Sequence, residues 1–141
     1  MSAAGSWSAT PRHSEPVKLN PRASLITVEV EIFKRAKSRV VRMALDTGAT
    51  YLMVPLHVLE ALGYAPGRAR KKISITTASG SQTAPLLTLD KVKVLGKAVA
   101  KVPAICHDLP AQSPVDGLLG LSFLRWFDID LHFRKRKLEL R

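Results

Sequence analysis

Residues 40–50 read V-V-R-M-A-L-D-T-G-A-T, and the rest of the chain is placed around them. Val41, Met43 and Leu45 put apolar side chains at every second position, the period of a strand with one buried face. The run stops at Asp46-Thr47-Gly48. Asp and Gly are depleted in strands, so the strand is expected to end here and the backbone to bend where Gly48 permits it. A carboxylate delivered to the end of a buried strand costs free energy unless donors or a second acid share its charge. That cost points to chemistry at Asp46.

On the N-terminal side, Leu25 to Phe33 (L-I-T-V-E-V-E-I-F) alternates in the same way. Ile26, Val28, Val30 and Ile32 form an apolar face, with Thr27, Glu29 and Glu31 opposite. A turn over 34–38 and a return strand over 39–45 make a hairpin that lifts Asp46 into position. Beyond the loop, Tyr51 to Val54 reads as a short buried strand. Pro55 opens a helix whose apolar residues Leu56, Val58, Leu59 and Leu62 recur at helical spacing, and Gly63 is its expected C-terminal cap. Residues 72–77 alternate, 78–81 form a turn of small residues, and 82–89 return as a second hairpin. Strands over 91–95 and 98–105 are joined at Gly96, and 107–114 form a polar, proline-containing loop. Residues 116–127 then read D-G-L-L-G-L-S-F-L-R-W-F. Val115, Leu118, Leu119, Leu121, Phe123 and Leu124 demand burial, Gly117 and Gly120 allow tight backbone contact, and 121–126 is expected to be a short helix. Alternation over 128–133 and 137–140 gives a terminal hairpin.

The segment M-A-L-D-T-G-A-T resembles the active-site loop of aspartic proteases, and Ala49 after the Asp-Thr-Gly is similar to the retroviral-type, or retropepsin-like, branch. Gly117 to Leu124 (G-L-L-G-L-S-F-L) resembles that family's second element, an apolar-apolar-Gly segment with a short helix after it. The resemblance covers the region from Ser24 to Leu140 and leaves only the N-terminal tail outside. The resemblance implies a mainly β fold: a closed acid-protease-type barrel lobe with one or two short helices, a flap hairpin and a homodimeric assembly. It makes Asp46 catalytic, with Thr47, Gly48 and Ala49 supporting the loop. It makes Thr77, Ala78, Ser79 and Gly80 the flap tip that covers a bound polypeptide, and Gly117, Leu118, Leu119 and Gly120 the segment threaded beside Asp46. Only Asp46 is followed by Thr/Ser-Gly; Asp90, Asp108, Asp116, Asp128 and Asp130 are not. Peptide hydrolysis by water needs one carboxylate as base and one as acid. One such aspartate per chain therefore implies two chains. Where the viral enzymes carry an Asp and an Arg that brace the dimer, this chain has Thr50 and Leu121, so its dimer needs other support.

At 141 residues with 46% hydrophobic content, the chain is long enough for one domain with a real core. We expect a protease domain over 23–141, preceded by a Ser-, Ala- and Pro-rich tail over 1–22 that is disordered or orders late. The single cysteine, Cys106, excludes an internal disulfide. With no long apolar run and no signal-peptide pattern at its start, the sequence reads as cytoplasmic, without a transmembrane segment. A net charge of +11 invites a nucleic-acid partner. However, the basic clusters at 34–39, 68–72 and 134–137 fall at expected turns and carry no interleaved aromatics for base stacking, which argues against it.

Other chemistries find less support. His13, His57, His107 and His132 stand singly, without metal-ligand spacing, so neither a metal nor another cofactor is expected. Cys106 and His107 are strand neighbours that point to opposite faces and make no catalytic pair. Tyr51 and Trp126 read as core residues. The reading is thus an aspartic endopeptidase acting on polypeptides. The alternative is a protease-like peptide-binding or dimerisation module with little activity, although a pure scaffold has no physical need of a buried acid.

Overall fold

The structure is a computed structural model that describes residues 17–18, 25–77 and 79–141. The tail expected over 1–22, including Trp7, lies outside the described residues except for Val17–Lys18, and Ala78 of the flap lies outside them too. In chain order the elements are β1 (Val17–Lys18), β2 (Thr27–Lys34), β3 (Lys37–Leu45), β4 (Leu52–Val54), α1 (Leu56–Leu62), a 3₁₀ turn (Pro66–Arg68), β5 (Lys71–Thr77), β6 (Gly80–Val94), β7 (Lys97–Cys106), β8 (Gly117–Leu119), α2 (Leu121–Leu124), β9 (Ile129–His132) and β10 (Lys137–Leu140).

Six strands close into a barrel. Their order is β2-β3-β8-β4-β7-β6, and β6 pairs back onto β2 through Glu31↔Lys93, Ile32↔Val92 and Phe33↔Lys91. Closure removes the free edges that an open sheet would leave unpaired. β5 stands outside the ring, paired among the described residues with β6 alone, so the β5–β6 hairpin projects from the barrel. β1, β10 and β9 form a separate three-stranded sheet with β10 in the middle.

Alternation in the sequence accounts for the core. Val28, Val30 and Ile32 of β2 and Val41 and Met43 of β3 are buried, as are Leu52, Val54, Leu89, Val92, Val102, Leu119 and Phe123. Each such aliphatic or aromatic side chain contributes about 1.5–3 kcal/mol by leaving water. Thr27 is buried as well, although its parity places it with Glu29 and Glu31. α1 begins after Pro55 and ends at Gly63, which adopts φ 99° and donates its N–H to Glu60 O and Leu59 O. Val58, Leu59 and Leu62 face the core, while Leu56 is exposed.

Several boundaries differ from the sequence expectation. The first hairpin turns over Arg35–Ala36 alone, with Lys34↔Lys37 paired, because Arg35 takes a left-handed φ of 54° and the strands can run to the tip. β6 is one strand of 15 residues rather than two. Asp90 does not break it because its polar groups are satisfied laterally. Its N–H donates to Tyr64 Oη (2.8 Å) and its Oδ2 accepts from the Arg35 N–H (2.8 Å), while Tyr64 Oη donates to Phe33 O (2.7 Å). Burial, ahead of the neighbouring Asp90 charge, raises the Tyr64 phenol above its ordinary range, although the Asp90 N–H lowers it in part. α2 spans four residues rather than six. Trp126 is 66% exposed and is therefore not a core residue. Lys91 Nζ lies 4.1 Å from the Phe33 ring centre and Lys34 Nζ 5.4 Å from that of Tyr64. Both rings already carry a cation.

Candidate active site

The loop after β3 is fastened by a segment much further along the chain. β3 and β8 run parallel in the register Met43↔Gly117, Ala44↔Leu118 and Leu45↔Leu119. Asp46 N–H then donates to Leu119 O (3.0 Å), Leu121 N–H to Ala49 O (2.8 Å) and Ser122 N–H to Thr50 O (2.9 Å). β4 closes the other side through Met53↔Leu118. Residues 46–50 are thus held at both ends by the backbone of 119–122.

Glycine is required at two of these positions by space alone. A Cβ on Gly120 would run into the Tyr51 and Ala49 carbonyl oxygens, and one on Gly117 into the Met53 carbonyl oxygen. These are backbone atoms that cannot step aside without breaking the β4–β8 and loop contacts. Gly48 serves differently from the sequence expectation, because it is not among the glycines with positive φ. Its N–H donates to Asp46 Oδ1 (2.9 Å), and a Cβ there would press on the same oxygen at 3.2 Å. The Asp46 carboxylate is therefore aimed by the backbone two residues on, and Gly48 keeps its surroundings clear. Asp46 is only half-buried, and Thr47 and Gly48 are exposed, so the outer face of the loop is open in the single chain.

Ser122 received no weight in the sequence, yet it ties two strands, β4 and β7, to the loop. Its side chain is buried (5% exposed). Its Oγ accepts from the Leu52 N–H (3.0 Å) and donates to Pro103 O (2.7 Å). The available signal was a lone hydroxyl inside an apolar helical run, since a buried hydroxyl needs partners.

The structure brings Asp46, Thr47, Gly48 and Ala49 together with Gly117, Leu118, Leu119 and Gly120. Of the expected flap residues, Thr77, Ser79 and Gly80 lie at the end of the projecting hairpin, where Thr77 pairs with Gly80. Thr77 Oγ1 donates to Gly80 O (2.9 Å) and accepts from the Ser79 N–H (3.2 Å). These bonds are local to the tip. Cys106 is half-buried, and burial first, then Asp108 and Glu60, raise its thiol above the ordinary range. It is a poor nucleophile in this setting. Among the described residues no group of three or more His, Cys, Asp or Glu could hold a metal ion, and no helix is long and apolar enough to cross a membrane.

Residues 33–126 match the sequence profile of the family described as "gag-polyprotein putative aspartyl protease". The chain belongs to this aspartyl protease family. The match begins at the end of β2 and runs past α2, so it takes in both the Asp46 loop and the segment that fastens it. In fold the protein is similar to the crystal structure of a retropepsin-like aspartic protease from Rickettsia conorii, with 22% identity, a TM-score of 0.59, and coverage of 79% of this chain and 88% of that one. It also aligns with the solution structure of Simian Foamy Virus (mac) protease, at 25% identity and a TM-score of 0.46 over 71% of this chain and 92% of that one. No curated protein matches it in sequence. Family and fold together support a retropepsin-like protease.

Proposed function

We propose that this aspartyl protease is an endopeptidase that works as a homodimer, with the Asp46 carboxylates of two chains facing each other across a two-fold axis. One observation carries the reading. A single Asp-Thr-Gly loop is held by backbone bonds with its carboxylate aimed and its outer face open. One carboxylate on one chain cannot be both base and acid in the same step. A second copy supplies the missing acid and covers the exposed Thr47–Gly48 face.

In this mechanism one Asp46 takes a proton from the attacking water while the other, protonated, donates to the carbonyl oxygen of the peptide. Thr47 of each chain hydrogen-bonds across the axis. Gly117 to Gly120 hold the loop in place, and Thr77 to Gly80 fold over the substrate. The polypeptide lies extended and adds to the site as a strand.

Specific activity on an unbiased peptide mixture, read by mass spectrometry, is expected to fall as the protein is diluted through its dimer dissociation range. Added Asp46→Asn chain is expected to poison the wild type, because mixed dimers carry one acid. Cleavage at unchanged specific activity by a monomer, or indifference to the added variant, overturns the two-chain site.

A further inference from the structure

A concavity opens beside Tyr51, the residue that follows the Asp46 loop. It has a volume of about 490 Å³ and is lined by Tyr51, Arg70, Lys71, Leu86, Thr88 and Pro103. The strand registers explain why these residues share it. Lys71 pairs with Leu86, Thr88 pairs with Pro103, and Leu52, next to Tyr51, pairs with Ala104, next to Pro103. Leu86 and Thr88 are two apart on β6 and so point to the same side. The opposite side carries Leu87 and Leu89 toward the core. The lining therefore spans two neighbouring cross-strand positions of β5, β6 and β7, flanked by the residue before β4 and the residue before β5, at the base of the projecting hairpin. Tyr51 sits five residues from Asp46, at the far end of the loop.

Its chemistry is one-sided. Arg70 and Lys71 are exposed, and no carboxylate is among the lining residues. Neither Arg70 nor Lys71 takes part in an ion pair found among the described residues, where the pairs seen are those of His132, Lys137 and Arg141. Tyr51, Leu86 and Pro103 give an apolar floor along which the methylene stems of a guest side chain can lie. The guanidinium of Arg70 can hold a carboxylate bidentately.

We propose that this concavity receives a glutamate or aspartate of the polypeptide substrate, at one fixed position a few residues from the bond that is cut. The inference rests on the proteolytic reading for its location, since a strand laid between the hairpin and the Asp46 loop continues past Tyr51. It goes beyond that reading in assigning a substrate chemistry.

The test is a binding measurement, so that it does not depend on turnover. Full-length Asp46→Asn protein is immobilised and exposed to a randomised peptide library, and the bound peptides are aligned and sequenced. The expected result is enrichment of Glu and Asp at one register position, on the order of tenfold over Lys and Arg. Adding Arg70→Gln and Lys71→Gln abolishes it, and Arg70→Glu with Lys71→Glu reverses it to favour basic residues. A control with the same change of net charge, Lys93→Glu with Lys97→Glu on the far part of β6 and β7, leaves the position unchanged. Acidic enrichment spread over all positions, or lost equally in both glutamate pairs, overturns the assignment, as does no acidic preference. Cleavage by the wild type is scored separately. Its absence would count against the proteolytic reading, while the concavity stands or falls on the bound peptides alone.

Discussion

The Asp46 loop and the tip of the β5–β6 hairpin are built from similar small residues and held in opposite ways. The loop is bonded at both ends to residues 119–122, distant in sequence, and at Gly120 there is no room even for a methyl group. At the tip the side-chain bonds stay within residues 77–80, and a Cβ on Gly80 would meet nothing within 4 Å. Gly120 is demanded by its neighbours, whereas Gly80 is demanded by its own φ of 112°. The contrast is the one the proposed catalytic platform and flap would need: the loop is held by tertiary contacts, while the described residues of the tip are held by their own hairpin.

The sharpest way to break this contrast is to change the loop's chemistry without its shape. Asp46→Asn keeps an oxygen that can accept the Gly48 N–H, so the melting temperature should hold while peptide cleavage falls by about 10³-fold. A normal rate in a pure, folded sample would place the acid elsewhere. Gly120→Ala tests the platform's packing and should cost about 3 kcal/mol or more in urea unfolding, because the displaced atoms are backbone. Ser122→Ala leaves the Leu52 N–H without its partner in a buried place and should cost about 1–3 kcal/mol by the same measurement. At the tip, Gly80→Ala should cost only about 1–2 kcal/mol, the strain of an L-residue at that φ. A larger loss there would mean that the tip is packed rather than free.

The smallest effect lies away from both regions. Asp130 accepts two bonds from Arg141, at 2.7 and 3.2 Å, and the Arg141 hydrogen bond holds its carboxyl below the usual range. Such a carboxylate adds stability above its unfolded-state titration, and that stability is lost as the pH falls through the lowered one. Arg141→Ala should move the Asp130 titration upward, as followed by NMR.

Much of this was legible because the deciding signals were local. Alternation placed β2 and β3, Pro55 and Gly63 bracketed α1, and Asp-Thr-Gly with Gly-Leu-Leu-Gly marked the two ends of the loop's clamp. What stayed hidden depended on partners remote in sequence. Asp90 looked like a strand break until Tyr64 and Arg35 supplied its hydrogen bonds. Thr27 looked solvent-facing by its parity with Glu29 and Glu31, yet it is buried. Trp126 looked like core because a large aromatic gains most from burial, but the four-residue helix leaves it outside. Arg70 and Lys71 read as a solvated turn, and only the pairing of β5 with β6 set them beside Tyr51.

The parallel pairing of β3 with β8 also sets the order in which this molecule becomes functional. Leu52 and Ser122, which share a buried hydrogen bond, are separated by 70 residues. Closing so long a segment is slow compared with forming the hairpins inside it. A nascent chain can make β2–β3 early, with Asp46 already at the strand end, but the loop has nothing to lean on until α2 has left the ribosome. The clamp on Asp46 is thereby completed only after residues 119–122 have been made, well after the hairpin that carries the aspartate.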